Sequence, residues 1–544
     1  MWTVPQHVQS AQASTTLWTS LAVVSALYAG WHVTSAAVAR RAVDRVLEAQ
    51  QLYEPPTTLP LLGNTLDVMV YHKHRIHDWF TEQCLAAGGR PWVLRIVGRP
   101  PTLVVTSPAE IEDVFKTQFE VFERGPRMRD LTYDFFGEGL LAVDGDKWLQ
   151  QRRTSSHLFS MQMLRDVMDA VVIEKTLQLR DVLAECARQQ KTVSMKSLLG
   201  KLSSDVFTKI GLGVDLNGLG GDVDAEMDHP FIHAVETIGV VFQSRLLSPM
   251  WLWKFKKMLN IGEERQLRKE SKIIQDLVME IMEASLAEKE SAVDGSKLRR
   301  DLLTLFLETS NGAVSAADVR DAVMNFFLAG KDTTTFSLSW VLVNLNRYPE
   351  VLDKIRDEMK ANLPALLSGE LEAPSIADLQ KLPYLEATLK ESLRLHMTSV
   401  YRAPNASTTL SDGTRVPFGT QILVPIYAMG RMPTVWGPDA AEFRPERWID
   451  EHTGLVRKVS SFQFFSFMAG PHKCIGMRFA LMEMQIVLAV LLSRFDIKTV
   501  QDPFEITYEF SVVFPVKGPL LATIHDRLAT IDCGGLSSCK RLIQ

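Results

Sequence analysis

FMAGPHKCIG, residues Phe467 to Gly476, is the stretch on which the reading of this chain turns. Two glycines bracket one cysteine in a short polar loop, and a long apolar run that reads as a helix follows at once. Cysteine is scarce. Cys84, Cys186, Cys474, Cys533 and Cys539 are the whole complement of the 544 residues, an odd number with no CxxC pair. That spacing argues against a disulfide framework or a structural zinc site, and for a reducing compartment. A lone thiol between glycines needs a chemical reason.

The rest of the composition narrows the field. The chain is 46% hydrophobic and 23% charged, ordinary for a globular protein, and long enough for several domains or one large enzyme. A net charge of -5 and the lack of any Lys/Arg block give nothing that tracks a nucleic acid. Thr15 to Ala39 carries no charge and is long enough to cross a hydrocarbon layer as a helix. Arg40, Arg41 and Arg45 follow it, which puts the bulk of the chain on the cytoplasmic side. A cleaved signal peptide would be shorter and charged on the other flank; a buried amphipathic helix is the alternative. LYEPPTTLPLLGN (Leu52 to Asn64) is a stiff, proline-rich connector. The expected organisation is a tail over 1–14, an anchor over 15–39, and a basic spacer and hinge over 40–64. A catalytic domain over 65–525 and a tail over 526–544 complete it.

Short-range patterns predict a mainly α domain with small β-sheets. Trp92 to Val97 and Thr102 to Val105 read as strands around GRPP. SPAEIEDVFKT (Ser107 to Thr117) opens a helix with a serine cap, a proline in the first position and acids in the first turn. Helical periodicity dominates from about Ser160 to Asn346, including a charged helix around Glu263 to Lys289, with a turn at Ala292 to Ser296 before KLRRDLLTLFLE. Strand patterns return at Thr414 to Pro417, Gln421 to Pro425 and Glu505 to Val516.

Four further stretches carry chemistry. Ser315 to Asn346 reads as one helix with a capping box at Ser315 and Asp318, yet its centre is AGKDTTT, a glycine and three threonines that suit a helix interior poorly. A rule broken mid-helix points to a function: threonine hydroxyls can bond the preceding turn and open room for a small ligand. Ala329 and Thr333 share one face of it. Glu391 and Arg394 in ESLRLH are placed to pair, an arrangement often found on exposed helices, and Arg447 in FRPERW could join them and make a buried network. Trp148 and Arg152, four apart, are both donors suited to an anion; in isolation they also fit a packing tryptophan beside a solvated arginine. For Cys474, a nucleophile would need a base such as His472 or His396, but no cysteine-protease signature surrounds it. Zinc would need three or four protein ligands. Haem needs only one, because its ring supplies four, and a thiolate ligand favours O–O cleavage. Gly470 and Gly476 then let backbone approach a flat ring, and amides can bond the sulfur.

With these residues in view, the chain resembles the cytochrome P450 haem-thiolate monooxygenases over roughly Pro55 to Phe514. FMAGPHKCIG is similar to the family's cysteine loop, AGKDTT to its oxygen-activating helix motif, ESLR to its ExxR pair, RPERW to its PERF-like segment and WLQQR to its WxxxR contact. The resemblance implies that Cys474 is the axial ligand of haem b, with Phe467 near the sulfur. It implies that Asp332 and Thr333 deliver protons, Ala329 and Gly330 leave space above the iron, and Glu391, Arg394 and Arg447 form a structural triad. Trp148 and Arg152 would hold a haem propionate. The family usually has arginine where His472 stands, which implies a weaker propionate anchor and pH-sensitive haem affinity. MTSVYRAP after ESLRLH lacks the usual prolines; Arg402 there has two open roles, propionate or substrate contact.

The implied chemistry is insertion of one oxygen atom of O2 into a C–H bond, with NADPH electrons from a membrane-bound flavoprotein reductase. His472, Lys473 and Arg478 could form part of its docking face. The implied location is the endoplasmic reticulum membrane, single-pass. FERGPRMRDLTYDFFGEGLL and YAMGRMPTVWGPDAAEFRPERW resemble the fatty-acid omega-hydroxylase branch of plants and fungi. Phe135, Phe136, Leu140, Leu141, Phe326 and Phe327 could line an apolar channel or belong to an ordinary core. Each buried methylene of an alkyl chain contributes about 0.8 kcal/mol. Sterol or terpenoid hydroxylation is the alternative, and a haem-binding sensor or carrier without turnover a further one.

Overall fold

The computed structural model describes residues 38–164, 168–224, 229–291 and 316–528. Residues 15–37 of the expected anchor lie outside them, as do Ser315, the turn and helix expected over 292–308, and Cys533 and Cys539. Among the described residues no helix is long and apolar enough to cross a membrane.

Among the described residues ten short strands run in chain order: β1 Trp92–Leu94, β2 Thr102–Val104, β3 Phe122–Glu123, β4 Val193–Ser194, β5 Ser399–Pro404, β6 Thr408–Thr409, β7 Arg415–Val416, β8 Gln421–Pro425, β9 Phe495–Thr499 and β10 Leu521–Asp526. They form a five-stranded sheet of order β1-β2-β8-β5-β3, a three-stranded sheet β4-β10-β9, and the ribbon β6-β7. The turn GRPP closes the β1-β2 hairpin, in which Trp92 faces Val104. β2 runs parallel to β8, and β8 antiparallel to β5, with Tyr401 opposite Leu423. This brings a strand from early in the chain beside one three hundred residues later. The Ser107 helix starts as its sequence implies: Ser107 Oγ accepts from the Ala109 amide at 3.3 Å and Glu110 returns the bond to the Ser107 amide at 3.2 Å.

Helices fill the rest. The longest, Ala316–Arg347, crosses the core and packs chiefly on Met195–Leu212. It stays helical through AGKDTTT. Thr333 Oγ1 donates to the Ala329 carbonyl at 2.7 Å, and Thr335 Oγ1 to that of Lys331 at 2.8 Å. The hydroxyl bonds expected there do form, without interrupting the helix. Gly330 differs from its expected role. A Cβ there would lie 2.0 Å from the Phe207 ring, so the space the glycine leaves is taken by Phe207 from the neighbouring helix.

Glu505 to Val516 is not a strand; it has one isolated bridge, between Tyr508 and Val516. Its aromatic residues pack inward instead. Phe514 accepts from Trp340 Nε1 at 2.9 Å through its carbonyl and lies 4.9 Å from Tyr508, ring to ring. Aromatic docking overrides the strand pattern here.

The helix after the cysteine loop, Met477–Arg494, is buried on nearly all sides. It carries Glu483, which has no accessible surface; one carboxyl oxygen has no partner and the other meets Thr334 Oγ1 of the long helix at 3.4 Å. Burial pushes this carboxyl up to about 8. Between the ordinary glutamate value and about pH 8 the unfolded chain ionises while the folded one keeps its proton. Stability therefore falls as pH rises, by about 1.4 kcal/mol per pH unit in that window. Glu483→Gln removes this loss. Its melting temperature should rise relative to the parent between pH 5 and pH 8, and parallel pH profiles would refute the assignment.

Candidate functional site

Glu391 is the most completely bonded carboxylate near the cysteine loop. It has no accessible surface and accepts from Arg394 Nε at 2.7 Å and Nη2 at 2.8 Å, Arg447 Nε at 3.0 Å, Trp448 Nε1 at 2.9 Å and the Arg444 amide at 2.8 Å. The two arginines spend their remaining donors on carbonyls and, for Arg447, also on the Asp439 carboxylate at 3.1 Å. Arg394 reaches Gly430, Ala440 and Glu442, and Arg447 reaches Trp436 and Asp439. The expected triad is thus a buried network with a fourth member, Trp448. Its indole beside RPER was visible in the sequence, but nothing there indicated its partner.

This network is coupled to the cysteine loop. Ser466 Oγ donates to the Leu393 carbonyl at 2.9 Å, Trp448 stacks edgewise on Phe464 at 4.8 Å, and the Cys474 amide donates to the Phe467 carbonyl at 2.8 Å. Gly470 has φ +62°, and a Cβ there would lie 1.9 Å from the Phe115 carbonyl oxygen. The glycine is required for the loop to close on the segment Asp113–Thr117. At Gly476 a Cβ would meet only Phe159, at 3.8 Å, so no crowding requires a glycine. Its amide opposes the rise that burial gives the cysteine thiol.

Cys474 retains accessible surface, yet burial pushes its thiol up, opposed by the Gly476 amide and Arg152. The two facts agree when the sulfur faces interior space walled by protein. Ala329 and Thr333 likewise keep accessible surface while Lys331, Thr334 and Thr335 between and beside them are buried. Asp332, on another face of that helix, is partly exposed and lies 3.5 Å from Lys331, which also reaches Glu236 at 3.2 Å.

Cations gather beside the loop. His472 is buried in an aromatic box, 4.3 Å from the Trp148 ring and 4.9 Å from Phe119. Burial, then Arg402, Arg124 and Arg152, push it far below the ordinary histidine value, so it is neutral. Arg152 donates to the Lys473 carbonyl at 2.6 Å, and Arg124 pairs with Asp144 at 3.1 Å. Arg402 is buried over the Phe115 ring, its Nε has no partner, and burial and Arg124 push it down to about 9. A buried guanidinium without a counter-charge is costly, and a bound anion relieves that cost. Of the two roles open to Arg402, the cationic cluster favours the propionate contact. His472 packs among aromatic rings, and its burial removes it from any docking face.

The six apolar candidates divide. Phe135 and Phe327 are core residues, against Phe242 at 5.4 Å and Phe231 at 4.9 Å. Phe136, Leu140, Leu141 and Phe326 are half-buried. The loop bearing three of them is tied to the long helix by side chains the sequence did not single out. Asn325 accepts from the Leu141 amide at 2.7 Å and donates to the Phe136 carbonyl at 3.1 Å, and Asp321 accepts from the Glu138 amide at 2.9 Å.

A cysteine that keeps accessible surface although burial raises its thiol, and a buried cluster holding an arginine whose Nε has no partner, fit a flat macrocycle with anionic side groups held by one thiolate. The cytochrome P450 family model matches residues 54–522. Among similar proteins, cytochrome P450 704C1 of Pinus taeda is 32% identical over 461 residues, covering 81% of this chain and 87% of its own. Cytochrome P450 94B3 of Arabidopsis thaliana is 32% identical, covering 82% and 86%. Cytochrome P450 CYP94D108 of Paris polyphylla is 31% identical, covering 87% and 93%.

Glu391→Gln should leave the buried Arg394 guanidinium without its counter-charge, Arg447 keeping Asp439, and lower stability by about 3–5 kcal/mol. Urea unfolding followed by tryptophan fluorescence checks this; a loss below 1 kcal/mol would mean the network is not stabilising.

Proposed function

The chain belongs to the cytochrome P450 family, and from that membership we propose that it hydroxylates the terminal carbon of medium- to long-chain fatty acids. Members are haem-thiolate monooxygenases that receive NADPH electrons through a separate reductase, and this chain is one. When bound, the haem supplies reductive activation of O2 and transfer of one oxygen atom into a C–H bond. Cys474 would hold the iron through its thiolate, with the Gly476 amide favouring the ionised sulfur. Trp148, Arg152 and Arg402 would hold the propionates. Thr333 spends its hydroxyl proton on the Ala329 carbonyl, which leaves its oxygen free to accept a proton or a water hydrogen. Asp332, partly exposed beside Lys331, takes protons from solvent and passes them inward. Glu391, Arg394, Arg447 and Trp448 keep the cysteine loop in place.

The observation that carries the substrate class is the resemblance of residues 122–141 and 427–448 to the fatty-acid branch. The half-buried Phe136, Leu140, Leu141 and Phe326 support it as an apolar lining. Such a substrate reaches the enzyme from a bilayer. The reading includes an endoplasmic-reticulum anchor over 15–39, a spacer and hinge over 40–64, a cytoplasmic catalytic domain over 65–525 and a tail over 526–544. Support comes from Leu61, Trp251 and Met258, large apolar residues 91%, 70% and 72% exposed, which suit a lipid-facing surface. The reductase is proposed to be membrane-bound and to dock at a cavity of about 530 Å³ whose rim includes Lys390, Arg457, Lys458 and Lys473.

Two measurements test this. The reduced protein with carbon monoxide should give the thiolate absorption signature, and Cys474→Ala should abolish it. With reductase, NADPH and a panel of fatty acids and sterols, mass spectrometry should find terminal hydroxy acids; sterol products alone would refute the substrate class. Thr333→Ala should keep consuming NADPH but yield roughly tenfold less product, with peroxide in its place. Full coupling in that variant would exclude the proton role.

A further inference from the structure

A cavity of about 600 Å³ lies between the helices Met250–Leu259, Glu263–Ser291 and Ala316–Arg347, where the helix Gly125–Phe136 ends. None of its lining residues belongs to the cysteine loop or to the network on Glu391. Its volume is that of a small-molecule site. Ile238, Leu267, Ile274 and Met324, all buried, form its apolar side. Lys257, Arg268, Lys272 and Arg320 bring cations to it from three helices.

The charges do not cancel. Arg245, buried at the cavity wall, donates from Nε to Glu264 at 2.8 Å and pairs with Asp134 at 2.8 Å. Lys257 also pairs with Asp134, at 2.7 Å, and Arg320 donates from Nε to Asp321 at 2.9 Å. Glu264 stands four residues before Arg268, the spacing of a helical ion pair, but its carboxylate is committed to Arg245. Arg268 and Lys272 are themselves one turn apart, and among the described residues neither has a carboxylate partner. Like charges at that spacing repel. Both are exposed, so water screens them in the ligand-free fold.

We propose that this cavity binds an organic phosphate monoester, with the phosphate on Arg268, Lys272 and Arg320 and the apolar body against Ile238, Leu267, Ile274 and Met324. Two unbalanced cations match a phosphate monoester, which carries about two negative charges at neutral pH, better than a carboxylate or sulfate ester with one. Arg320 spends Nε and Nη2 on Asp321, which leaves Nη1 for the ligand. Ser271, which lines the cavity beside Lys272, adds a hydroxyl. The site stands apart from the fatty-acid reading, since it uses none of the residues assigned to substrate. Soluble esters and phosphatidic acid in a bilayer carry the same group.

The test is equilibrium dialysis of the holoenzyme with 1-naphthyl phosphate, 1-naphthyl sulfate and 1-naphthol, beside sedimentation with vesicles of phosphatidylcholine containing phosphatidic acid. The phosphate should bind more tightly than the sulfate, and the sulfate more tightly than the alcohol. Arg268→Gln and Lys272→Gln should each weaken the phosphate about fivefold, the worth of an exposed ion pair. Arg265→Gln and Lys269→Gln remove exposed cations of the same helix that do not line the cavity, and should leave binding unchanged. Unchanged carbon monoxide spectra and melting temperatures certify the fold of all four. Soluble ester bound with this pattern assigns the site to a free phosphate ester. Vesicle capture alone, lost in the first two variants and kept in the second two, assigns it to a lipid phosphate. Equal losses in all four variants would mean a general attraction of anions to the helix and overturn the site. So would no binding in either arm, or an ester that shifts the haem spectrum and ignores every variant.

Discussion

A single carboxylate, that of Glu391, carries the arrangement around the cysteine. Its two oxygens accept five hydrogen bonds from Arg394, Arg447, Trp448 and the Arg444 amide, with no water-accessible surface. Burying one anion and two cations is costly unless the donors and acceptors are satisfied. Here the donors left over go to carbonyls of residues 430–442 and to the Asp439 carboxylate, so the charge cluster gathers an otherwise irregular stretch of chain. That stretch, through Trp448 and Phe464, supports the loop presenting Cys474. A thiolate ligand needs a rigid loop, and this one rests on charges rather than on regular secondary structure.

Arginine is used in two opposite ways. Around Glu391 the guanidiniums are saturated and the cluster is structural. Around His472, Arg402 is buried with an Nε that has no partner. An unsatisfied interior cation is unfavourable in the ligand-free fold, so such a position is where an anion gains most on binding.

The long helix ties neighbouring elements to the core. Its side chains Asp321 and Asn325 fix the loop 137–141, Gly330 admits Phe207, and Ala329 and Thr333 keep accessible surface. The threonines that looked like helix breakers bond back to the preceding turn, so the helix remains continuous while presenting hydroxyls.

Much of this was legible in the sequence because it is local. The cysteine between glycines, the capped start at Ser107, the span of the long helix, the GRPP hairpin and the three-residue spacing of Glu391 and Arg394 all follow from neighbours a few positions apart. The sequence also carried the order of the motifs, and with it the family. It could not determine which groups are buried together. Trp448 on Glu391, the Phe115 carbonyl that requires Gly470, the proton held on Glu483, and the core packing of Phe135 and Phe327 each join residues from separate elements. Their energies come from desolvation and close packing, which exist only once the chain has folded, so tertiary structure alone decided them.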